Sequence, residues 1–373
     1  MNRIVIIGAG FAGISCLTEL KKYAAGEEIT VINKSNLFVF LPVLPDVIGR
    51  SVNPEHLTYD LSKLKGGKNF RLINGEVKEV VVKDRQIITS CGIVGFDYLA
   101  VCSGSETNFY NNEEIRRRAF KLDDAFDARR IREALEGNNF SNFLISGGGY
   151  TGVEVATNIR EYLKKKKRSG RVVIVERAPS LLGPLPDWMK NYVTMNLRDL
   201  DIECITNVSV QSMTDRSVTI SNGARFDDAM LIWAAGVRTA DFIQRLAYEK
   251  NPQGRIKVNE DLSFAPGCFA AGDAALFPSG GNYLRMAVQF AIAQGRVAAA
   301  NITNSIKGRK LIVYKPLDLG YIIPMANNKA CGNILGRNVS GYMPVIMHYL
   351  MCVYRSYGVK NKLGLLSDLT KGG

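Results

Sequence analysis

A chain of 373 residues with 46% hydrophobic content is too long for one core and apolar enough to bury two, which excludes wholesale disorder, a collagen-like fibre and a disulfide-stapled miniprotein. The net charge is +13, and ten lysines and arginines against two aspartates leave +8 between residues 305 and 373, a basic tail suited to anionic lipid. Nucleic acid is not expected, because the aromatic residues there lie in apolar runs and not between the charges. Seven scattered cysteines without a C-x-x-C pair and only two histidines argue against a disulfide framework, a zinc ribbon and a multi-histidine centre, so no metal is expected.

The opening run Ile4-Val-Ile-Ile7 stops at a glycine turn, so it reads as a buried first strand and not a signal peptide. The turn is Gly8-Ala-Gly10-Phe-Ala-Gly13, a G-x-G-x-x-G between a strand and a helix carrying Cys16, Leu17 and Leu20. In that context Gly8 permits the tight turn, Gly10 admits a pyrophosphate close to the backbone, and Gly13 lets helix and strand pack closely. The next strand, Ile29-Thr-Val-Ile32, ends at Asn33, where an acid usually holds the ribose hydroxyls. The asparagine amide oxygen can accept there more weakly.

A second fingerprint follows 139 residues later. Phe143-Leu-Ile-Ser146 leads into Gly147-Gly-Gly149-Tyr-Thr-Gly152 and a helix with Val155, Ile159 and Tyr162 on one stripe. The strand Val172-Val-Ile-Val175 ends at Glu176, whose carboxylate suits both ribose hydroxyls and repels a 2′-phosphate, which favours NADH over NADPH. The basic run 164–168 suits the carboxyl end of the helix dipole. Two fingerprints call for two dinucleotides or for one dinucleotide and a duplicated fold.

Further along, Cys268-Phe-Ala-Ala-Gly272-Asp273 is followed by a predicted helix beginning near Met286, with small residues Ala287, Ala291 and Ala298. A helix amino end there would face negative charge on a bound group. No run reaches the roughly 18 apolar residues of a membrane-spanning helix. The longest candidate, 342–354, belongs to a stripe of Tyr342, Val345, Ile346, Tyr349, Leu350, Val353, Tyr354 and Tyr357 spaced by three and four, rimmed by Arg355, Lys360 and Lys362. That pattern predicts one amphipathic helix for membrane docking, with packing onto the body or a homodimer interface as its other uses.

Gly272-Asp273 resembles the late Gly-Asp motif of two-dinucleotide flavoproteins, whose aspartate binds the flavin ribityl chain, and Tyr98-Leu-Ala-Val-Cys-Ser103-Gly104 resembles the segment returning their chain between domains. The ordered set then resembles type II NADH:quinone oxidoreductases over nearly the whole chain. Phe38-Val-Phe-Leu-Pro42-Val-Leu-Pro is similar to that family's flavin-side segment, Gly147–Glu154 to its "GGGPTGVE", and Trp233-Ala-Ala235-Gly236-Val to its "WAAGV". Val288-Gln289-Phe-Ala-Ile-Ala-Gln294-Gly resembles its quinone-site helix, departing at Val288 and Ala293, and Lys360-Asn-Lys-Leu363 resembles its closing "RNRL".

The resemblance implies an α/β protein of two Rossmann-like domains, the second inserted in the first, with a C-terminal amphipathic membrane-docking segment. The expected boundaries are 1–110 with 265–325 for FAD, 111–264 for NADH, and 326–373 for membrane association and quinone access. It implies FAD on Gly8, Gly10, Phe11, Ala12, Gly13, Asn33, Lys34, Pro42, Val77, Ser103, Gly104, Gly272, Asp273, Val288 and Gln289. NADH falls to Gly147, Gly149, Tyr150, Thr151, Gly152, Glu154, Glu176, Ala235 and Gly236. Glu154 is the expected proton and hydride residue between the rings, and Gln289 the partner of a quinone carbonyl. The implied reaction carries a hydride from NADH to FAD and two electrons on to a quinone without proton pumping, in a peripheral protein on the cytoplasmic face of the cell membrane. A sulfide:quinone oxidoreductase shares this fold but needs two redox cysteines near the flavin. Cys331 is one candidate, and the turn at Tyr150-Thr151 supplies no second. Peroxide or dioxygen reductases, and an NADH-responsive flavoprotein that works by changing conformation or partner, complete the alternatives.

Overall fold

A computed structural model describes residues 1–24, 26–64, 70–137 and 140–371. The chain forms two compact units. The first comprises Met1–Phe38, Asp60–Glu106 and Val237–Asp318, and the second Val39–Tyr59, Thr107–Gly236 and Leu319–Gly373.

The first unit is built on a six-stranded sheet in the order Ser263–Ala265, Cys268–Ala270, Tyr98–Val101, Arg3–Ile7, Glu28–Asn33, Phe70–Asn74. All pairings are parallel except that of the outermost strand, 263–265. The central strands are continuous apolar runs because both faces are covered. The helices Phe11–Tyr23 and Val288–Ile306 cross so closely that a Cβ on Gly295 would lie 2.2 Å from the Ala12 carbonyl oxygen. The second of these helices begins at Val288, after an extended Ala287, two residues later than the expected start near Met286.

The second unit repeats the theme with a four-stranded parallel sheet, ordered Ile202–Ile205, Arg171–Val175, Asn142–Ser146, Ala229–Trp233. Alternate residues serve its two faces. Phe143, Ile145, Val172 and Ile174 pack with Val155 and Ile159 of the helix Tyr150–Lys165, while Leu144, Val173 and Leu231 pack with Ile115 and Val218.

The division differs from the expected boundaries by small shifts at 107–110 and 319–325, by the tail's joining the second unit, and by two longer segments. Residues 237–264 join the first unit, because Ile256–Lys257 pairs in parallel with Ala275–Leu276 and 263–265 adds the sheet's outer strand. Residues 39–59 join the second, where the helix Leu44–Gly49 meets the 150–165 helix backbone to backbone: a Cβ on Gly49 would lie 2.3 Å from the Asn158 carbonyl oxygen. Both attachments are made by long-range backbone approach, which leaves no local pattern in composition.

The tail also differs. It opens with a three-stranded antiparallel sheet, Gly320–Met325, Lys329–Ile334 and Arg337–Gly341, and the single predicted helix is two, Met343–Arg355 and Val359–Lys371. Tyr357 lies in the break, next to Gly358 at φ +82°, a conformation that ends a helix cheaply only at glycine. Among the described residues, no helix is long and apolar enough to cross a membrane.

Candidate coenzyme and active site

The register of each sheet brings its expected residues to one edge. In the first unit Ile7 pairs with Ile32 and Val101, and Val101 with Ala270. The glycine turn, Asn33, Ser103-Gly104 and Gly272-Asp273 therefore leave adjacent strands at their carboxyl ends, where open α/β sheets bind ligands. In the second unit Ser146 pairs with Val175 and Trp233, so Gly147–Gly152, Glu176 and Ala235-Gly236 emerge together.

The two turns are built alike. Gly8 has φ +97° and Gly147 φ +107°. A Cβ on either would lie 2.4 Å from a carbonyl oxygen of the neighbouring strand segment, Cys102 in one case and Ala234 in the other. A Cβ on Gly13 or Gly152 would lie 1.9 Å from the carbonyl oxygen of Gly8 or Gly147, so helix and strand meet backbone to backbone. Gly10 and Gly149 are different: each caps its helix without a side-chain hydrogen bond, and a Cβ there would meet nothing within 4 Å. Each helix thus presents open backbone donors and its positive dipole end, the arrangement a pyrophosphate needs.

The residues at the second strand ends first stabilise these turns. Asn33 accepts from the Ala9 N–H at 2.9 Å through Oδ1 and donates through Nδ2 to the Ser35 carbonyl at 2.8 Å. Glu176 accepts from Gly148 N–H at 2.6 Å and Ala178 N–H at 2.7 Å, one on each oxygen. A carboxylate has about four acceptor positions, so two such bonds leave Glu176 capacity toward a ribose. The amide oxygen of Asn33 has less.

Asp273 sits in a polar nest that motif reading missed. Ser105 Oγ donates to its Oδ2 at 2.7 Å, and Gln294 Oε1 accepts from Gly272 N–H at 2.8 Å, holding the turn. Burial raises the Asp273 pKa above the usual carboxylate value, while Ser105 and the Arg255 cation act to lower it. Arg255 is buried and donates to the carbonyls of Ala275 and Leu284. Ser105 and Gln294 close motif segments already in view and could have been found; Arg255 carries no such signal. Ser103 Oγ is buried with no hydrogen-bond partner, beside Gly104 at φ +68°. A buried hydroxyl in that condition is costly, and a flavin lying on this edge would give it one. The residues fit the group.

The remaining expected contacts are distributed as follows. Phe11 packs edge-on against Phe38 with centroids 5.3 Å apart, and Ala12 lies under the Gly272 turn. Lys34 pairs with Glu76 at 3.1 Å and Glu106 at 3.6 Å. Val77 is buried at the start of the strand Val77–Val81. Val288 opens the 288–306 helix, and Gln289 donates from Nε2 to Asp318 Oδ1 at 3.1 Å. Pro42 belongs to the second unit, on the short helical turn Leu41–Val43. In that unit Tyr150 stands 6.0 Å from the Tyr321 ring, Thr151 is exposed, and the Ala235 carbonyl accepts from Tyr110 Oη at 2.9 Å beside Gly236.

Glu154 is the fifth residue of the 150–165 helix, one turn in from its amino end, and is half-buried. Burial and the Asp46 carboxylate raise its pKa well above the usual carboxylate range. Glu154 belongs to the second unit and Gln289 to the first.

All seven cysteines are free thiols. Cys331 is buried, and burial pushes it up to about 11, so it is a thiol and not a nucleophilic thiolate at neutral pH.

Curated relatives include type II NADH:quinone oxidoreductases of Staphylococcus haemolyticus (strain JCSC1435), 25% identical over 93% of each chain, and of Staphylococcus aureus (strain NCTC 8325 / PS 47), 24% identical over the same shares. Among solved structures, NDH2 from Plasmodium falciparum in complex with NADH superposes with a TM-score of 0.84 at 17% identity, covering 99% of this chain and 98% of that one. The sulfide:quinone oxidoreductase of Aquifex aeolicus does so at 0.80 and 17%, covering 98% and 92%. These superpositions report a common fold. Residues 2–295 match the model of the pyridine nucleotide-disulphide oxidoreductases, and with both fingerprints, the strand-end residues Asn33 and Glu176 and the Gly-Asp nest in place, the chain belongs to that family.

Proposed function

We propose that the protein is a type II NADH:quinone oxidoreductase, with FAD on the first unit and NADH on the second. The observation that carries this reading is the doubled turn, with Gly10 and Gly149 open at two uncapped helix starts and only the first accompanied by the Ser103, Ser105 and Asp273 group. When bound, FAD supplies the two-electron chemistry, accepting a hydride from NADH and returning the electrons to a quinone.

The chain's own groups do the rest. The helix dipoles at Phe11 and Tyr150 hold the pyrophosphates. Asp273 binds the ribityl chain, and Glu176 receives the NADH ribose and disfavours a 2′-phosphate. The amino end of the 288–306 helix lies over the Gly-Asp turn, with Ala291 3.4 Å from where a Gly272 Cβ would stand, and faces negative charge on the ring. Glu154 holds a proton, and Gln289 directs its amide to a quinone oxygen.

The 343–355 helix supports membrane docking, on the cytoplasmic face as the reading has it. Met343, Met347, Leu350, Met351 and Tyr354 are exposed on it, with Lys360 and Lys362 following, an apolar face with basic flanks that suits anionic lipid. A homodimer through the same face is the competing use.

Anaerobic mixing tests the reaction. NADH should bleach the flavin band within one turnover, a short-chain ubiquinone should restore it, and sulfide should leave it unchanged. Bleaching by sulfide, or failure of quinone to restore the band, would give the function to one of the alternatives.

A further inference from the structure

The 44–49 helix and the residue after it place two charged groups deep in the second unit. Asp46 and Arg50 are 4% and 3% exposed, with Arg50 Nε 3.4 Å from Asp46 Oδ1. Tyr349, on the inner side of the 343–355 helix, donates its hydroxyl to the same Oδ1 at 2.8 Å. Its ring lies under the Arg50 guanidinium, 5.2 Å from centroid to carbon. Arg50 Nη2 donates to the Ala326 carbonyl at 2.9 Å and to Asn328 Oδ1 at 2.5 Å, while its Nε has no hydrogen-bond partner.

Every packed element adds a group. The 150–165 helix brings Glu154, whose ionisation the Asp46 carboxylate opposes, and Lys165, with Nζ 3.5 Å from the Gly49 carbonyl. Arg132 donates to the Val47 carbonyl at 3.1 Å. The 343–355 helix adds His348 and Cys352, with Sγ and Nε2 3.5 Å apart. Burial pushes Asp46 up to about 6 against Arg50 and Tyr349, and burial with the Arg50 cation pushes His348 down to about 4. With His348 neutral, the carboxylates Asp46 and Glu154 stand on helices that meet backbone to backbone at Gly49 and Asn158, Asp46 opposes the ionisation of Glu154, and carboxylates coupled in this way share a proton.

The reaction needs one. NADH, a quinone and one proton give NAD⁺ and quinol: the hydride brings both electrons and one hydrogen, and the second hydrogen must arrive as a proton. We propose that Asp46, held by Arg50 and Tyr349, stores that proton jointly with Glu154 and yields it once per turnover. The inference rests on the NADH:quinone reading. The Tyr349 hydroxyl donates to Asp46 when the carboxylate is ionised and accepts from it when protonated, so it follows the proton. Asp46 is a positioning residue acting through Glu154.

The test uses the full flavin-loaded chain. Asp46→Asn keeps the shape and the acceptor for Tyr349 but cannot titrate, and Tyr349→Phe removes the bond that favours ionised Asp46. Protons exchanged on anaerobic reduction by NADH are counted with an indicator dye between pH 5 and 8, beside the pH profile of turnover with a short-chain ubiquinone. The wild-type count should change through a midpoint near 6, the change should vanish in Asp46→Asn, and the midpoint should rise in Tyr349→Phe. Turnover of Asp46→Asn above that midpoint should fall about ten-fold or more, the scale of a lost acid–base group. Should Asp46→Asn not fold, Tyr349→Phe alone decides by its midpoint. Profiles superimposable on wild type overturn the proton store, whereas a wild-type protein that cannot reduce quinone overturns the underlying reading.

Discussion

Gly149 and Gly152 stand three residues apart in one turn and answer to different constraints. A Cβ at 152 would sit 1.9 Å from the Gly147 carbonyl oxygen, and one at 149, where φ is −78°, would meet nothing within 4 Å. Gly152→Ala should therefore destabilise the second unit by about 3 kcal/mol, the upper range for overpacking. Gly149→Ala should unfold like the wild type yet bind NADH at least ten-fold more weakly, because its methyl occupies the approach of the pyrophosphate. Thermal unfolding and NADH titration separate the two. Ser105 makes a similar point about what the motifs conceal. Ser105→Ala removes a bond that favours ionised Asp273. It should cost about 1 kcal/mol and lower the flavin-to-protein ratio after gel filtration. The glycines were legible in the sequence because Gly147 and Gly152 have no room for a Cβ and Gly149 stands at a fixed spacing between them. Arg255 was not, since its meaning comes from a carboxylate more than 15 residues away.

At the scale of elements, the tail shows how an apolar stripe read from periodicity can be divided by packing between an inner and an exposed side. Val345 and Cys352 are buried and Tyr349 reaches Asp46, although Val345 and Tyr349 belong to the expected lipid-facing stripe. The exposed side runs through Tyr342, Leu350 and Tyr354 of that stripe together with Met343, Met347 and Met351. A helix apolar on both sides leaves the choice to packing. Deleting everything after Gly341 would also strip buried groups, so the sharper experiment replaces Met347, Leu350 and Tyr354 together by Gln. That variant should keep its melting temperature and lose most of its sedimentation with anionic liposomes; retained binding would assign the face to another partner. The final helix is fastened separately. Asp368 accepts from the Asn53 N–H at 2.9 Å and lies 2.7 Å from His56 Nδ1, and Asn361 donates to the Thr58 carbonyl at 2.6 Å. Asp368→Ala should release about 1–2 kcal/mol of that attachment, seen as faster amide exchange confined to 359–371.

Across the whole molecule, the sequence by itself determined what short-range geometry dictates. Two strand–turn–helix units, the acid or amide at the following strand end, and the Gly-Asp turn can each be read locally, because a glycine with no room for a Cβ or a strand buried on both faces leaves a mark within ten residues. Only the tertiary structure decided which segments share a unit and which charges meet. Residues 39–59 and 237–264 are assigned by backbone contacts to distant partners, and the Asp46, Arg50, Tyr349 and Glu154 group collects side chains from three separate helices and the residue following one of them. Such a group has no spacing in the chain, since the low dielectric that couples its charges exists only once the helices have packed and excluded water.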